Sequence, residues 1–361
     1  MRRVSITRAL PGMVLGVPVY GRFGNILLAK GTPLAANSIV VLSRMGITEV
    51  FIDDDFTDDI HVWPLFSPEL EAAMVIELRH LLGLTQKMLT AGRLIQLDLN
   101  QLFQLTYEMT CQLLPAKLGD IYIGGDISLE DYEVVHPVKV CCLAMLVGHT
   151  YGLQRQELAQ LGVAALVENI GQLLTPRWLL DKTDRPSAEE LEMLQEHSRN
   201  SAAILQGFGL TPPQVTNSVL QHHERWSGGG YPSGASGNDI DLTARIIALA
   251  DTCCALVSRR SYRTAMRPHE AAEFIVSNRG KLFDPDLVSR FIEGVPIYPP
   301  GILLRLNTGE IAIVTDARPG VLGRPKLRLY SSSPSQSIRP YEIDLAEAQY
   351  ENRYIVEILE H

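Results

Sequence analysis

The middle of the chain carries a succession of amphipathic helical patterns, whereas its two ends do not. From about residue 120 to 294, apolar residues recur every three or four positions, which places them on one face of an α-helix. The predicted helices are 136–151, 155–169, 187–207, 212–226, 242–259, 268–278 and 286–293. A glycine-rich stretch, 227–237, interrupts the run, and glycine there supplies backbone conformations that other residues disfavour.

The ends of the chain have the shorter patterns of strands and turns. At the N-terminus, strands are predicted at 4–6, 13–19, 26–29 and 49–52, with a helix at 35–45. At the C-terminus, strands are predicted at 301–306, 311–316, 326–330 and 354–358, with Asn307-Thr308-Gly309 as a hairpin turn. The segment 68–114 is strongly helical and predicts two connecting helices.

These patterns predict a mainly α protein, in which a helical bundle domain is flanked by small β-rich modules. At 361 residues the chain is long enough for two or three units. The predicted parts are an α+β N-terminal module (1–58), a helical connector (66–118), the helical domain (120–294) and a β-rich C-terminal module (299–361).

Composition excludes several classes of protein. The net charge is −9, which argues against a broad nucleic-acid surface and hence against DNA as a partner. The five cysteines form no CxxC pattern, so neither a disulfide framework nor a zinc finger is predicted. The N-terminus shows no signal peptide, and no apolar run approaches the roughly 20 residues that span a bilayer. We therefore predict a cytoplasmic protein without a membrane partner.

The histidines are the first candidates for chemistry. His222 and His223 are adjacent at the end of a predicted helix, His197 lies on the preceding helix, and His136 lies on the first helix of the run. Asp251 stands in an apolar helical stretch. Burying a carboxylate there costs free energy unless it is paired or binds a metal. Such a set, spread over four helices, suits a metal site in a bundle core. The alternative is that each histidine is an ordinary core or surface residue.

A longer motif surrounds these residues. The sequence HHERWSGGGYPSG runs from His222 to Gly234, and ARIIALAD follows and ends at Asp251. RRSYR (259–263), EAA (270–272) and FDP (283–285) come after it in order. This series resembles the HD-GYP family, and the resemblance extends over about 131–294, close to half of the chain.

The resemblance implies a helical domain with a two- or three-metal centre, usually of iron or manganese, that hydrolyses cyclic-di-GMP. Metals serve such a reaction by activating water and by neutralising charge on phosphoryl oxygens. By position, the implied metal ligands are His136, Glu168, Asn169, His197, His222, His223 and Asp251. The implied ligand-binding residues are Gly230, Tyr231, Pro232, Arg260 and Arg263, where arginine suits a phosphate because its planar fork bonds two oxygens.

The chain departs from the family at the pair of residues that gives it the name HD. The family usually reads His-Asp-Ile-Gly-Lys there, whereas this chain reads Glu168-Asn169-Ile170-Gly171-Gln172. Glu168 is still able to ligate a metal, but the neutral amide of Asn169 is a poor bridge between two metals. Adjacent helix positions point about 100° apart, so Glu168 is not expected to take over the aspartate's geometry. Gln172 stands where the family has a catalytic lysine, so the positive charge of that lysine is missing.

Two further positions also lose a charge that is common in the family. Ser227 and Cys254 both stand where the family often has aspartate. We therefore predict a cyclic-di-GMP signalling protein with a degenerate metal site, weak or no phosphodiesterase activity, and a ligand-binding or interaction role. Two alternatives stay open: an active phosphodiesterase with altered metal occupancy, and a structural remnant that connects the β-rich modules. Its expected partners are cyclic-di-GMP or a related cyclic dinucleotide, with protein partners and a homodimer left open.

Overall fold

The computed structural model describes the chain except for short stretches. These stretches are residues 22–24, 55–56, 58, 61, 93–97, 114–120, 123–131, 208, 210, 259–265, 319, 334–335 and 360–361. The chain forms two compact units. The smaller consists of Met1–Glu69, Ala116–Asp126 and Ile292–His361, and the larger consists of Leu70–Pro115 and Ile127–Phe291.

The smaller unit begins with short strands and one helix. In chain order these are β1 (Arg2–Ser5), β2 (Val14–Leu15), β3 (Val19–Tyr20), β4 (Ile26–Leu28), α1 (Ala36–Arg44) and β5 (Glu49–Asp53). β5 lies between β1 and β2 in an antiparallel sheet, and β3 pairs with β4. Val4, Leu15, Leu42 and Val50 are buried together beneath this sheet, which explains their apolar character.

The C-terminal strands complete the smaller unit. They are preceded by the short parallel pair β6 (Trp63–Pro64) and β7 (Ile121–Tyr122). The strands are β8 (Leu303–Leu306), β9 (Ile311–Asp316), β10 (Lys326–Ser333), β11 (Gln336–Asp344) and β12 (Ile355–Leu359). They form one sheet in the order β11-β10-β9-β8-β12. The predicted hairpin turn is confirmed, because Gly309 N donates to Leu306 O at 2.8 Å.

Residues from the two ends of the chain share a core in this unit. Ile60 and Val62 pack with Leu303, Ile313 and Leu359 of the C-terminal sheet. The β-rich ends are therefore grouped in space, although they are far apart in sequence.

The larger unit is helical, which confirms the predicted mainly α fold. Its helices are α2 (Pro68–Ala91), α3 (Asn100–Leu113), α4 (Tyr132–Tyr151), α5 (Arg155–Val167), α6 (Arg177–Leu180), α7 (Ala188–Gln195), α8 (His197–Gly207), α9 (Pro213–Gln221), α10 (Leu242–Val257), α11 (Pro268–Ser277) and α12 (Pro285–Gly294), and α2 and α12 extend by a few residues into the smaller unit. A 3-10 helix, Ile170–Leu174, follows α5.

Two helix predictions were wrong in ways that matter for the site. The single helix predicted over 187–207 is broken at Glu196, so that His197 begins a new helix, α8. The helix predicted over 212–226 ends at Gln221. His222 and His223 therefore lie in the turn beyond α9 rather than within a helix.

The central helix of the larger unit is α4. Every residue from Val140 to Gly148 is buried, because α4 packs against α5 and α10. Its length and composition would also allow it to cross a membrane, but 72% of its most apolar window is buried within the protein. Its apolar character thus follows from its place in the core.

Candidate metal centre

The first feature of the site is a group of three histidine rings, which we call the three-histidine group: His197, His222 and His223. His197 is the first residue of α8, and the other two follow α9. The Nε2 atoms of His197 and His223 are 3.1 Å apart, and those of His197 and His222 are 3.5 Å apart. One nitrogen of each ring thus converges on a common point, and these atoms lie within 4.8 Å of one another.

Backbone carbonyls fix two of these rings. His197 Nδ1 donates to Leu194 O at 2.6 Å, and His222 Nδ1 donates to Val219 O at 2.6 Å. Since the proton must be on Nδ1, Nε2 keeps its lone pair and is free to bind a metal. This arrangement is the usual outer support of a metal-binding histidine.

Burial keeps the three rings neutral. It lowers the pKa of His222 to about 4, with a further contribution from His197. Burial, and next the neighbouring His222, holds the pKa of His223 well below its ordinary value, and burial also lowers the pKa of His197. Neutral imidazoles are the form that binds a metal.

The Gly-Tyr-Pro turn packs against this group. The Tyr231 ring lies 4.7 Å from that of His223. Glu224 is buried and accepts from Ser233 N at 2.7 Å, while Arg199 donates to Pro232 O at 3.0 Å. The turn is therefore held from both sides.

Gly230 is required by a close approach of backbone to backbone. A Cβ atom at Gly230 would lie 2.5 Å from Glu224 Cα and 2.6 Å from both Arg225 N and His223 O. A larger residue would displace the turn from the histidines.

The second feature is the carboxylate group, which consists of His136, Glu168 and Asp251. One ligand atom from each of these residues lies within 4.8 Å of the others. His136 Nε2 lies 2.9 Å from Asp251 Oδ1, and Tyr132 stacks on the His136 ring with 4.7 Å between centroids. Glu168 is completely buried at the end of α5.

The pKa values of the two carboxylic acids in this group are shifted in opposite directions. Burial, and next the nearby Asp251, raises the pKa of Glu168 well above its ordinary value. Burial would also raise the pKa of Asp251, but the hydrogen bond with His136 and the attraction of the histidines outweigh it and keep that pKa low.

A chain of side-chain amides lies beside the carboxylate group. Gln172 Nε2 donates to Asn169 Oδ1 at 2.8 Å, and Asn169 Nδ2 donates to Glu168 Oε1 at 3.2 Å. The carbonyl oxygen of Asn169, the atom it would offer to a metal, thus accepts one hydrogen bond from Gln172. The other carboxylate oxygen, Glu168 Oε2, is buried without a hydrogen-bond partner, as is His136 Nδ1.

These unsatisfied atoms test whether the residues fit a metal. A buried carboxylate oxygen without a donor is costly, and an ion is one of the partners that explains such an atom. Imidazole nitrogens and carboxylate oxygens are also the donors that divalent iron and manganese accept. The residues therefore fit a metal at both groups.

A cavity of about 360 Å³ opens beside the carboxylate group. Residues of α2, α4, α5, the 3-10 helix and α6 line it, among them Gln86, Tyr132, His136, Asn169, Gln172 and Arg177. Arg177 is exposed and pairs with Glu133 and with Asp181, the latter at 2.9 Å. The altered residues Asn169 and Gln172 therefore face a space that is open to a small ligand.

A backbone contact links the two groups. Ser201 Oγ on α8 accepts from Gly171 N at 2.8 Å and donates to Glu168 O at 2.8 Å. Gly171 lies so close to α8 that a Cβ there would be 2.1 Å from His197 O. One serine and one glycine thus fix the 3-10 helix against the helix that carries His197.

The structure brings the predicted histidines and carboxylates together, but as two groups. Arg260 and Arg263, the predicted phosphate-binding residues, lie outside the described residues. Sequence reasoning did not single out Ser201 or Arg199. The only signal for Ser201 is its position one helical turn after His197, which places both on one face of α8.

Comparisons with known proteins identify the family. The profile described as HD domain matches residues 90–287, more than half of the chain. The chain belongs to the HD domain family. This membership confirms the resemblance predicted from the sequence, and family members of this kind are metal-dependent phosphohydrolases.

Characterised relatives act on cyclic dinucleotides. The chain is 30% identical over 227 residues to a cyclic di-GMP phosphodiesterase of Pseudomonas aeruginosa, covering 63% of this chain and 55% of that one. It is 30% identical over 159 residues to the 3′3′-cGAMP-specific phosphodiesterase 2 of Vibrio cholerae, covering 44% of this chain and 30% of that one. The chain thus spans about a third to a half of the length of these relatives.

A solved structure, an HDG"Y"P protein from Bdellovibrio bacteriovorus, has a TM-score of 0.48 and is 14% identical. The alignment covers 80% of this chain and 97% of that one.

Proposed function

We propose that this HD-domain protein binds cyclic-di-GMP or a related cyclic dinucleotide and hydrolyses it weakly or not at all. The observation that carries the proposal is the chain of amides from Gln172 through Asn169 to Glu168. It puts neutral, mutually satisfied side chains at the two positions where the family has a bridging carboxylate and a cation.

The rest of the site supports ligand binding. The three-histidine group is complete, Asp251 and His136 are paired at 2.9 Å, and the cavity beside them has room for part of a nucleotide. A bound divalent metal would attract the phosphate oxygens of such a ligand. Gln172 can donate a hydrogen bond to a phosphate, but it brings no positive charge and no proton to transfer.

A reversion experiment tests the proposal. The double variant Glu168→His with Asn169→Asp restores the family's metal-binding pair. We expect purified wild-type protein to bind cyclic-di-GMP by calorimetry and to hydrolyse it slowly, and the double variant to hydrolyse it about 100-fold faster or more. The double variant leaves the net charge unchanged, because it removes one carboxylate and adds another. Gln206→Asn, on an exposed position of α8, is a control that also leaves the charge unchanged, and it should leave both measurements as they are in the wild type.

Two results would contradict the proposal. Rapid hydrolysis by the wild-type protein would show that the amide chain does not impair the site. Failure of the metal-loaded wild-type protein to bind cyclic-di-GMP, cyclic-di-AMP or 3′3′-cGAMP would favour the structural remnant instead.

The second candidate is an active phosphodiesterase with altered metal occupancy. It is favoured by Glu168 Oε2, the buried oxygen that has no donor and is suited to a metal. Wild-type hydrolysis that is abolished by Glu168→Gln would support this candidate.

We also propose that the metal is iron or manganese and that the protein has a cytoplasmic signalling role. Protein partners and a homodimer are also part of this proposal.

A further inference from the structure

We infer that Glu133 and Arg177 form a guanine-reading pair at the cavity, so that the site prefers a nucleotide whose base is guanine to one whose base is adenine. The inference rests on the proposed function, because the cavity is the one beside the candidate metal centre. It names the base that the cavity selects, which the metal ligands do not determine.

The first argument is the size and lining of the cavity. Its volume is about 360 Å³, near the lower end of small-molecule sites, which begin at roughly 300 Å³. This size suits a part of the ligand, such as one base. The apolar side chains in its walls, which suit the faces of a flat base, are Leu82, Pro137, Leu166, Ile170, Leu173 and Leu180.

The second argument is the charged pair in the lining. Glu133 on α4 and Arg177 on α6 both line the cavity, and Arg177 Nη1 donates to Glu133 Oε1. Among the described lining residues there is no other glutamate or arginine, and no aspartate or lysine. The two charges compensate each other, so the pair suits a neutral polar group such as a base better than it suits a phosphate.

The third argument is the order of donors and acceptors in this pair. The guanidinium presents N–H donors directly beside the carboxylate oxygens, which only accept. Guanine presents the complement, because its O6 acceptor stands beside two adjacent donors, N1–H and N2–H. Adenine, in either orientation, offers the carboxylate a single donor group, N6–H₂. Guanine can therefore make one more hydrogen bond to the pair than adenine can.

The position of the pair sets the size of the expected preference. Asp181 accepts from Arg177 Nε at 2.9 Å and thereby orients the guanidinium. The side chains of Arg177 and Glu133 are 68% and 54% exposed, so water competes for their hydrogen bonds. We therefore expect a preference of about tenfold for guanine, towards the lower end for a bidentate contact to a base.

Calorimetric titration of the full chain, loaded with Mn²⁺, tests the inference with four nucleotides: cyclic-di-GMP, cyclic-di-AMP, GMP and AMP. We expect wild-type protein to bind each guanine nucleotide about tenfold more tightly than its adenine counterpart. Glu133→Gln replaces the carboxylate by an amide, which donates as well as accepts. This variant should therefore lower the preference to less than about threefold.

Glu357→Gln is the matched control. It makes the same chemical change in another partly exposed arginine–glutamate pair, in which Arg305 Nη1 lies 2.7 Å from Glu357 Oε2 on the C-terminal sheet. This variant should keep the wild-type preference. The inference is overturned if wild-type protein binds guanine and adenine nucleotides alike, or if Glu133→Gln keeps the tenfold preference.

GMP and AMP separate this inference from the proposed function. A preference for GMP that depends on Glu133, in a protein that binds no cyclic dinucleotide, would reject the proposed function and leave this inference standing. Binding of cyclic-di-GMP and cyclic-di-AMP with equal affinity would do the reverse. A protein that binds none of the four nucleotides would reject both.

Discussion

The three-histidine group and the carboxylate group lie in the same helical unit, but they are held in different ways. Backbone carbonyls at Leu194 and Val219 orient two of the histidines, so the positions of these rings depend on where α7 and α9 end. The carboxylate group is instead supported by side chains, above all the amides of Asn169 and Gln172. Substitution of a neighbouring side chain should therefore affect the second arrangement more directly than the first.

This difference explains how one half of the site can follow the family pattern while the other departs from it. A change at residue 169 or 172 alters hydrogen bonds around Glu168 without moving the carbonyls that fix His197 and His222. The two halves nevertheless share a backbone contact through Gly171 and Ser201. The experiments below ask how far their independence extends.

The largest effect is expected for His222→Ala. His222 is 0% exposed and supplies one of the three nitrogens of its group. Because the loss of a hydrogen-bond partner of a metal ligand already costs about 10- to 100-fold in affinity, loss of the ligand itself should lower Co²⁺ affinity by about 100-fold or more. Mn²⁺ affinity should change by less than about threefold if the carboxylate group is independent. His80→Ala is the control, because the side chain of His80 is 63% exposed on α2. Equal losses of Co²⁺ and Mn²⁺ in His222→Ala would show a single coupled centre.

The next effect is expected for Gly171→Ala. The new Cβ would lie 2.1 Å from His197 O and 2.4 Å from Ser201 N, so the 3-10 helix and α8 must move apart. We expect the free energy of unfolding, measured with urea, to fall by about 3 kcal/mol, and both metals to bind more weakly.

Gly83→Ala on α2 is the matched control for this substitution. Gly83 is exposed, and a Cβ there would meet nothing within 4 Å, so alanine should stabilise the helix by about 0.5–1 kcal/mol. A Gly171→Ala protein as stable as the wild type would show that the two groups are not fixed against each other at this contact.

The sequence indicated candidate residues for the site but not how the structure groups them. The adjacent histidines and the carboxylate of Asp251 could be identified because buried charged or ligating residues are unusual in apolar helices. The break at Glu196 and the end of α9 at Gln221 could not, since helical periodicity continues past both positions. Yet these two helix ends orient His197 and His222.

Contacts between distant segments were also beyond sequence reasoning. Nothing in the pattern of the N-terminal residues indicates that Ile60 and Val62 share a core with Leu303 and Leu359, since any apolar surface would satisfy them. The role of Glu168 could be predicted from the sequence only in part. Its ability to ligate a metal follows from its chemistry, but its approach to His136 and Asp251 depends on α5 ending at Val167.

The smallest effect is expected for Ser201→Ala, and it examines the contact between the groups without a steric clash. The hydroxyl satisfies both Gly171 N and Glu168 O, so its removal leaves a buried N–H without a partner. The free energy of unfolding should fall by about 1–2 kcal/mol.

Ser198→Ala, on the same helix and equally buried, is the control. The Ser198 hydroxyl donates to Gln195 O at 3.2 Å, within its own chain segment, so its removal should lower the free energy of unfolding by about 0.5 kcal/mol. If both variants lose the same stability, the Ser201 bridge contributes nothing specific. If Ser201→Ala also weakens Mn²⁺ binding but not Co²⁺ binding, the backbone of Glu168 is part of what holds the carboxylate group in place, and the histidines do not depend on it.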